Sequence, residues 1–148
     1  MKKSLQTAIA IRKFNRFYLP YFHLLTQKYL NTEYSIAEAR ILYEIYVNKE
    51  ISARDIVKNI HIDKSYLSRI LKKFESKFLI KRELSEQDSR IIFLSLTAEG
   101  EALAKKLIME SNRQIEENII KLSDKDLDQL SYHLEKIIEI LENENENH

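Results

Sequence analysis

The chain has 148 residues, of which 44% are hydrophobic and 32% charged, and this balance is typical of a folded globular protein. Its single glycine and single proline exclude a sandwich or barrel of many short strands, because such folds need frequent tight turns. The absence of cysteine excludes disulfides, thiolate metal sites and cysteine nucleophiles. Residues 1–90 carry an excess of eight positive charges and residues 91–148 an excess of seven negative charges, although the net charge is only +1.

The amino-acid sequence shows neither a membrane-spanning segment nor an export signal. The longest uncharged stretch, residues 17–27, is too short to cross a bilayer. The start of the chain lacks a long apolar region followed by a small-residue cleavage site. We therefore expect a cytoplasmic protein without a membrane partner.

Two helices are predicted before residue 50. The segment from Leu5 to about Leu30 has helical apolar periodicity, which Pro20 should kink or split because proline lacks a backbone N–H. Ser35 and Glu38 have the Ser-x-x-Glu spacing of a capping box, which predicts that the second helix begins there. This helix should end at residues 48–50.

The following segment predicts a helix-turn-helix. Ser52 and Asp55 resemble a weaker capping box ahead of a short helix, and Asp63 is a good N-cap for the next one. Only two residues, 61 and 62, separate the helices. The apolar stripe predicted for the second helix consists of Leu67, Ile70, Leu71, Phe74 and Phe78. The opposite face of that helix is polar and basic.

A hairpin and two long helices complete the predicted fold. The residue pattern predicts two strands, Ile80–Leu84 and Arg90–Leu96, joined by a polar turn at residues 85–89. A helix from residue 97 to about 122 follows, and Ser123 should cap the last helix. That helix carries a heptad seam formed by Leu127, Leu130, Leu134, Ile137 and Leu141. The predicted fold class is mainly α with a small β-hairpin wing, a winged helix-turn-helix with long N- and C-terminal dimerisation helices.

The second helix of the helix-turn-helix has side chains that suit the major groove of DNA. Ser65 and Ser68 are short enough to allow close approach, and Arg69 can reach a guanine edge or a phosphate. Lys72 and Lys73 suit phosphates farther along the helix. These residues predict that double-stranded DNA is the partner.

The neighbouring elements add further contacts to this predicted interface. The helix N-termini at Ser52 and Asp63 offer backbone N–H groups to phosphates. Arg90, at the hairpin, can enter the minor groove, where a narrow A/T-rich stretch attracts a guanidinium group. Phosphate contacts would supply most of the affinity, and the few base contacts would supply the specificity.

The predicted helix-turn-helix and hairpin also resemble a known family. Residues 56–75 and 79–82 look like the core of the multiple-antibiotic-resistance regulator (MarR) family, and residues 88–90 and 94–100 resemble its wing and the Leu-Thr-x-x-Gly that closes it. The order of elements matches over essentially the whole chain. The resemblance implies recognition-helix roles for Lys64, Ser65, Tyr66, Ser68 and Arg69, and a minor-groove role for Arg90 with Asp88 as its ion-pair partner. We add to this DNA-binding set Lys72, Ser52, Arg54 and Ser89.

Three departures from the family pattern stand out. The family usually has glycine where this chain has His61, in the turn between the helices, and where it has Phe78, just after the recognition helix. A left-handed backbone at these positions costs a non-glycine residue about 1 kcal/mol or more. Either the turns adopt another conformation, or core contacts of Phe78 offset the strain. Ser89 stands where the family often has a second basic residue, which predicts a weaker wing contact.

The resemblance also implies a homodimer on a pseudo-palindromic DNA site. We interpret residues 1–148 as a single MarR-like domain, with dimerisation helices at 1–33 and 98–146 and a DNA-binding region at 34–97. The predicted dimer contacts are Leu5 and Ile9 of the first helix together with the heptad seam of the last. The seam can alternatively be a core stripe within one chain. The expected activity is that of a repressor that a small ligand releases from DNA.

An aromatic-rich zone between the first two helices is interpreted mainly as packing. Its alternative role is a pocket for a small lipophilic or phenolic effector, formed by Phe17, Tyr21, Phe22 and Tyr43. No cofactor, catalytic residue or metal site is expected, because no set of titratable residues has the necessary spacing. A metal sensor using His23 and Glu38 is a minor alternative. The main alternative function is a winged-helix protein–protein interaction module without specific DNA binding.

Overall fold

The computed structural model describes residues 1–145, with side chains up to residue 143. The elements in chain order are α1 (Lys3–Tyr21), a 3-10 turn (Tyr29–Asn31), α2 (Ile36–Asn48), β1 (Glu50–Ser52), α3 (Ala53–Ile60), α4 (Lys64–Ser76), β2 (Ile80–Leu84), β3 (Ile92–Leu96), α5 (Ala98–Ile119) and α6 (Asp124–Asn145). This order confirms the predicted winged helix-turn-helix. The chain divides into two compact units, Met1–Gln114 and Ile115–His148. The predicted end of the last dimerisation segment, residue 146, lies outside the described residues.

Helix α1 is shorter than predicted. It ends at Tyr21, so the prediction of a helix to about Leu30 is wrong, whereas the predicted break at Pro20 is confirmed. Pro20 supplies no N–H to the carbonyl group one turn earlier, and His23 then takes a left-handed conformation with φ of 56°. None of the side chains of α1 is buried.

The capping box of α2 is confirmed. The backbone N–H of Glu38 donates to Ser35 Oγ at 3.0 Å, and the Ser35 N–H donates to Glu38 Oε1 at 3.1 Å. These reciprocal bonds satisfy two backbone donors that the start of a helix would otherwise leave unpaired. The helix ends at Asn48, within the predicted range, and Lys49 follows with φ of 63°.

The two helices of the helix-turn-helix begin at the predicted caps. Ser52 Oγ accepts from the Asp55 N–H at 3.2 Å, and Asp63 Oδ2 accepts from the Tyr66 N–H at 2.9 Å. Between them, His61 is left-handed, with φ of 52° and ψ of 44°. The turn therefore keeps the conformation that glycine prefers, although histidine occupies it.

The buried stripe of α4 is confirmed for Leu67, Ile70, Leu71 and Phe74 but is wrong for Phe78. Helix α4 ends at Ser76, and Phe78 has a φ of 58° with 75% of its surface exposed. The left-handed turn breaks the helical spacing and directs the ring away from the core. Core contacts of Phe78 therefore do not offset its backbone strain.

The wing contains a strand that the sequence did not predict. Strand β1 pairs antiparallel with β3, which pairs antiparallel with β2, and Ile51 lies opposite Leu94 in the core. Three residues are too few to reveal strand periodicity. The second predicted strand begins at Ile92 rather than Arg90, because the turn closes through the bond from the Ser85 N–H to the Ile91 carbonyl oxygen at 2.9 Å.

The junction between the wing and α5 is held by Thr97 and Gly100. Thr97 donates its hydroxyl to the Phe78 carbonyl oxygen at 2.6 Å and accepts from the Gly100 N–H at 3.0 Å. A Cβ atom on Gly100 would lie 2.0 Å from the carbonyl oxygen of Leu79, which is far inside contact distance. Glycine is therefore needed here for close backbone approach.

The core of the first unit is formed by α2, α3, α4, the sheet and the start of α5. Its largest fully buried side chains are Phe74, Ile41, Leu42, Ile45, Ile56, Leu67, Leu71 and Leu94. This core buries one face of α4 and leaves the other in solvent, which positions the candidate interface.

The second unit contains the end of α5 and helix α6. Ser123 caps α6 as predicted, accepting from the Asp126 N–H at 3.1 Å. Helix α6 ends at Asn145, and no helix in the described part of the chain is both long and apolar enough to span a membrane.

Candidate nucleic-acid interface

The outer face of α4 brings the predicted recognition residues together. An α-helix turns by about 100° per residue. This rotation places the centre of one polar face opposite the buried stripe, and that face consists of Ser65, Ser68, Arg69 and Lys72. Lys64 and Tyr66 flank them, and all six side chains are exposed. An α-helix is about 10–12 Å wide with its side chains, and the major groove is about 12 Å wide, so this face can enter the groove.

Arg69 and Tyr66 form a contact on that face. The guanidinium carbon of Arg69 lies 5.8 Å from the centre of the Tyr66 ring, within the range of a cation–π interaction. This contact restrains the long Arg69 side chain while both residues remain exposed. The arrangement suits a bidentate donor to a guanine edge.

The start of α3 lies before the turn and contains two predicted phosphate-contacting residues. Ser52 is half-buried because it is both the last residue of β1 and the N-cap of α3, whereas Arg54 is exposed in the first turn. A helix N-terminus with an exposed arginine favours a phosphate oxygen.

The wing tip presents Arg90 in a defined orientation. Its side chain is 89% exposed and pairs with Asp88, with 3.1 Å between Nε and Oδ1. The hydrogen bond from the Arg90 side chain, together with one from its backbone N–H, holds the pKa of Asp88 below its usual value. The ion pair implied by the family resemblance is therefore present. Ser89, between the two residues, is exposed.

Lys73 does not take the outward position predicted for it. Its Nζ lies 2.6 Å from Glu38 Oε2 and 5.5 Å from the centre of the Tyr34 ring. Position 73 lies about 90° around α4 from the centre of the outer face, next to the first turn of α2. The capping-box spacing identified Glu38, but the sequence contained no signal for its contact with Lys73.

Comparison with known proteins matches one segment of the chain to a known family. The model of the MarR family matches residues 34–92, which contain α2, the helix-turn-helix and the wing. Residues 34–92 therefore carry a MarR-family domain.

Curated relatives of this chain are named as transcriptional regulators. The HTH-type regulator YdgJ of Bacillus subtilis is 30% identical over 92 residues, which are 62% of this chain and 56% of that protein. The HTH-type regulator MgrA of Staphylococcus aureus is 29% identical over 129 residues, 87% of this chain and 82% of that protein. The chain thus spans little more than half of the first relative and most of the second.

A solved structure supports the same fold. Streptococcus pneumoniae FabT, solved in complex with DNA, is similar with a TM-score of 0.68 at 19% identity, covering 96% of this chain and 99% of that one. At this identity the likeness concerns the fold. It includes the long helices outside the region that the family model matches.

The predicted dimer contacts are largely exposed. In the first unit, Leu5 and Ile9 of α1 are 51% and 46% exposed. In the second unit, Leu127 is half-buried, and the other members of the α6 seam are exposed, namely Leu130, Leu134, Ile137 and Leu141.

A pocket of about 270 Å³ lies in the first unit. Its lining residues are Leu24, Tyr29, Ile36, Ala39, Arg40, Leu42, Tyr43, Ala104, Leu107, Ile108, Ser111 and Asn112. Of the four predicted pocket residues, only Tyr43 lines it. Phe17, Tyr21 and Phe22 do not line this pocket, because α1 ends at Tyr21 and these rings pack in a local aromatic cluster, with 5.2 Å between Phe17 and Tyr21.

The metal-sensor alternative gains no support from the described residues. Among them, no group of three or more histidine, aspartate or glutamate side chains is arranged to hold a metal ion. The Glu38 carboxylate accepts hydrogen bonds from Ser35 and Lys73 instead.

Proposed function

We propose that this protein belongs to the MarR family and is a sequence-specific DNA-binding transcriptional repressor that acts as a homodimer on a pseudo-palindromic operator. The observation that carries the proposal is the exposed face of α4, where Ser65, Ser68, Arg69 and Lys72 lie together opposite the buried stripe. The names of the curated relatives favour transcriptional regulation over catalysis. The DNA complex of FabT, which has the same fold, is consistent with this use of the scaffold.

The proposed contacts divide into those that read bases and those that bind phosphates. Ser65, Ser68 and Arg69 face the base edges, with Tyr66 restraining Arg69. Arg90 enters the minor groove beside each half-site, because its guanidinium group is exposed and oriented by Asp88. The phosphate contacts, which set register and affinity, are assigned to Lys64, Lys72, Ser52, Arg54 and Ser89.

The proposed dimer uses the apolar surfaces of α1 and α6. An α6 seam with heptad spacing and exposed leucine and isoleucine side chains favours association with a second copy. Two recognition helices about 34 Å apart would match half-sites one DNA turn apart. Occupation of a promoter by such a dimer excludes polymerase.

The pocket beside α2 and α5 is the proposed effector site. Its apolar walls and the polar groups of Arg40, Tyr43 and Asn112 suit a small lipophilic or phenolic compound. A ligand that binds more tightly to a dimer with altered spacing between its two recognition helices would lower the affinity of the dimer for the operator. A screen of such compounds should find one that raises the melting temperature and lowers operator affinity, and a screen with neither effect would count against this site.

Selection from a pool of random duplex DNA at two salt concentrations tests the proposed function. We expect enrichment of a pseudo-palindrome with half-sites about 10 base pairs apart, and an affinity that falls steeply with salt. Salt-sensitive binding without an enriched sequence would reject sequence-specific regulation. Absence of DNA binding would instead favour a protein–protein interaction module.

A further inference from the structure

We infer that Lys73 is a positioning residue, which orients the recognition helix α4 through the buried carboxylate of Glu38 and does not bind a DNA phosphate. This inference rests on the proposed function, because it assigns α4 its role in reading DNA. Two adjacent lysines therefore have different roles. Lys72 binds DNA, whereas Lys73 holds α4 in place.

The first observation is that both oxygens of the Glu38 carboxylate accept hydrogen bonds. Oε2 accepts from Lys73 Nζ at 2.6 Å, while Oε1 accepts from the Ser35 backbone N–H at 3.1 Å. Glu38 is only 9% exposed. A carboxylate this far from water needs a paired cation, so removal of the Lys73 ammonium would leave a charge that the protein interior stabilises poorly.

The second observation is that Tyr34 extends the same contact along α4. The buried Tyr34 ring lies 5.5 Å from Lys73 Nζ and 5.1 Å from Lys77 Nζ, and it meets the Phe74 ring edge-on at 6.4 Å. Lys77 also pairs with Glu33 at 3.2 Å. The last turn of α4 and its C-cap residue are therefore attached at two points, four residues apart, to the segment that begins α2.

This attachment lies on the flank of α4 that faces α2, where pairing with Glu38 occupies the Lys73 ammonium group. Lys72 is on the outer face and exposed, whereas Lys73 is drawn toward α2. A helix in the major groove reads bases through hydrogen bonds with narrow distance and angle limits. A small rotation of α4 would therefore weaken base contacts while leaving the number of phosphate-binding cations unchanged.

The two roles predict different salt dependences. Each phosphate contact contributes about −0.9 to the slope of log K against log salt. Lys72→Met should weaken binding to the selected operator and to a scrambled duplex alike, with a salt slope shallower by about 1. Lys73→Met should weaken operator binding by about tenfold, the loss expected for one good base contact, with an unchanged slope and unchanged affinity for scrambled DNA.

Two further variants keep the test decisive. Lys73→Arg retains the cation and should restore most of the operator affinity. Glu38→Gln keeps the capping-box spacing but removes the carboxylate, and it should reproduce the operator-selective loss even if Lys73→Met folds poorly. Adding Lys73→Met to Glu38→Gln should cause little further loss, because both substitutions break the same contact.

Two results would overturn the inference. A salt slope reduced in Lys73→Met as much as in Lys72→Met would identify Lys73 as a phosphate ligand. Unchanged operator affinity in folded Lys73→Met and Glu38→Gln, with only the melting temperature lowered, would show a purely structural contact. Operator selection by the unsubstituted protein reports separately on the proposed function.

Discussion

Asp88 holds the guanidinium group of Arg90 through two hydrogen bonds of 3.1 Å, from Nε to Oδ1 and from Nη2 to Oδ2. The Arg90 backbone N–H also donates to Oδ1 at 3.0 Å, so one carboxylate fixes both the turn and the side chain. An ion pair this exposed adds little to folding stability. Its consequence is orientation of a cation at the tip of the wing.

We predict that Arg90→Ala weakens operator binding most where the flanking sequence is A/T-rich. Such flanks have a narrow minor groove with enhanced negative potential, and the variant lacks the cation that enters it. Competition binding with operators that differ only in their flanks measures the effect. Equal losses on A/T-rich and G/C-rich flanks would mean that Arg90 binds a phosphate rather than the groove.

Substitution of Arg69 should relax base specificity. Arg69→Ala is expected to lower the preference at one base position of each half-site by about 1–3 kcal/mol, because a bidentate arginine contact to guanine is lost. Repeating the random-duplex selection with this variant gives the change position by position. Lys72→Met is the matched control, since it should leave the preferred sequence intact. An unchanged motif in Arg69→Ala would remove that residue from the base-reading set.

Gly100→Ala should destabilise the protein because the added Cβ would meet the Leu79 carbonyl oxygen at 2.0 Å. Backbone atoms cannot move aside as a flexible side chain can, so we expect a loss of about 1–3 kcal/mol or more in the free energy of unfolding. Urea denaturation measures it. Glu99→Ala, at the exposed neighbouring position, is the control. A Gly100→Ala variant as stable as this control would contradict the close approach.

Leu134→Glu should convert the proposed dimer into monomers. A charge at the centre of the α6 seam would be buried against the partner copy without a counter-charge. Analytical ultracentrifugation gives the oligomeric state, and operator affinity should fall with it, because a monomer contacts one half-site. Gln129→Glu places the same charge at an exposed position outside the seam. If Leu134→Glu remained dimeric, the seam would be an intrachain surface.

Glu38 should make stability depend on pH in the acidic range. Burial raises the pKa of Glu38, but hydrogen bonds from Lys73 and Ser35 outweigh it and lower the pKa below its usual 4.5. A lowered pKa in the folded state means that ionised Glu38 stabilises the protein above pH 4.5, and that this contribution disappears as pH falls through the lower value.

The variant Glu38→Gln should therefore be less stable than the parent at about pH 7, with a difference that shrinks as the pH falls below 4.5. Urea unfolding across this range measures the difference. Glu86→Gln, in the exposed turn of the wing, is the control. A stability difference that stayed constant with pH would show that the Glu38 charge does not contribute.

The sequence by itself determined the features that depend on neighbours within one or two helical turns. Ser35, Ser52, Asp63 and Ser123 cap helices as predicted, because each side chain bonds a backbone N–H three residues later. The outer face of α4 was also predictable, because the spacing of its apolar residues defines which side is buried.

Only the tertiary structure decided the features that depend on distant residues or on backbone strain. The Lys73–Glu38 pair joins positions 35 residues apart, and the Thr97–Phe78 bond joins positions 19 residues apart. Strand β1 exists because β3 provides its partner. The exposure of Phe78 follows from a left-handed turn rather than from hydrophobicity. Local patterns do not encode such contacts, because their energy is gained only when the folded chain brings the partners together.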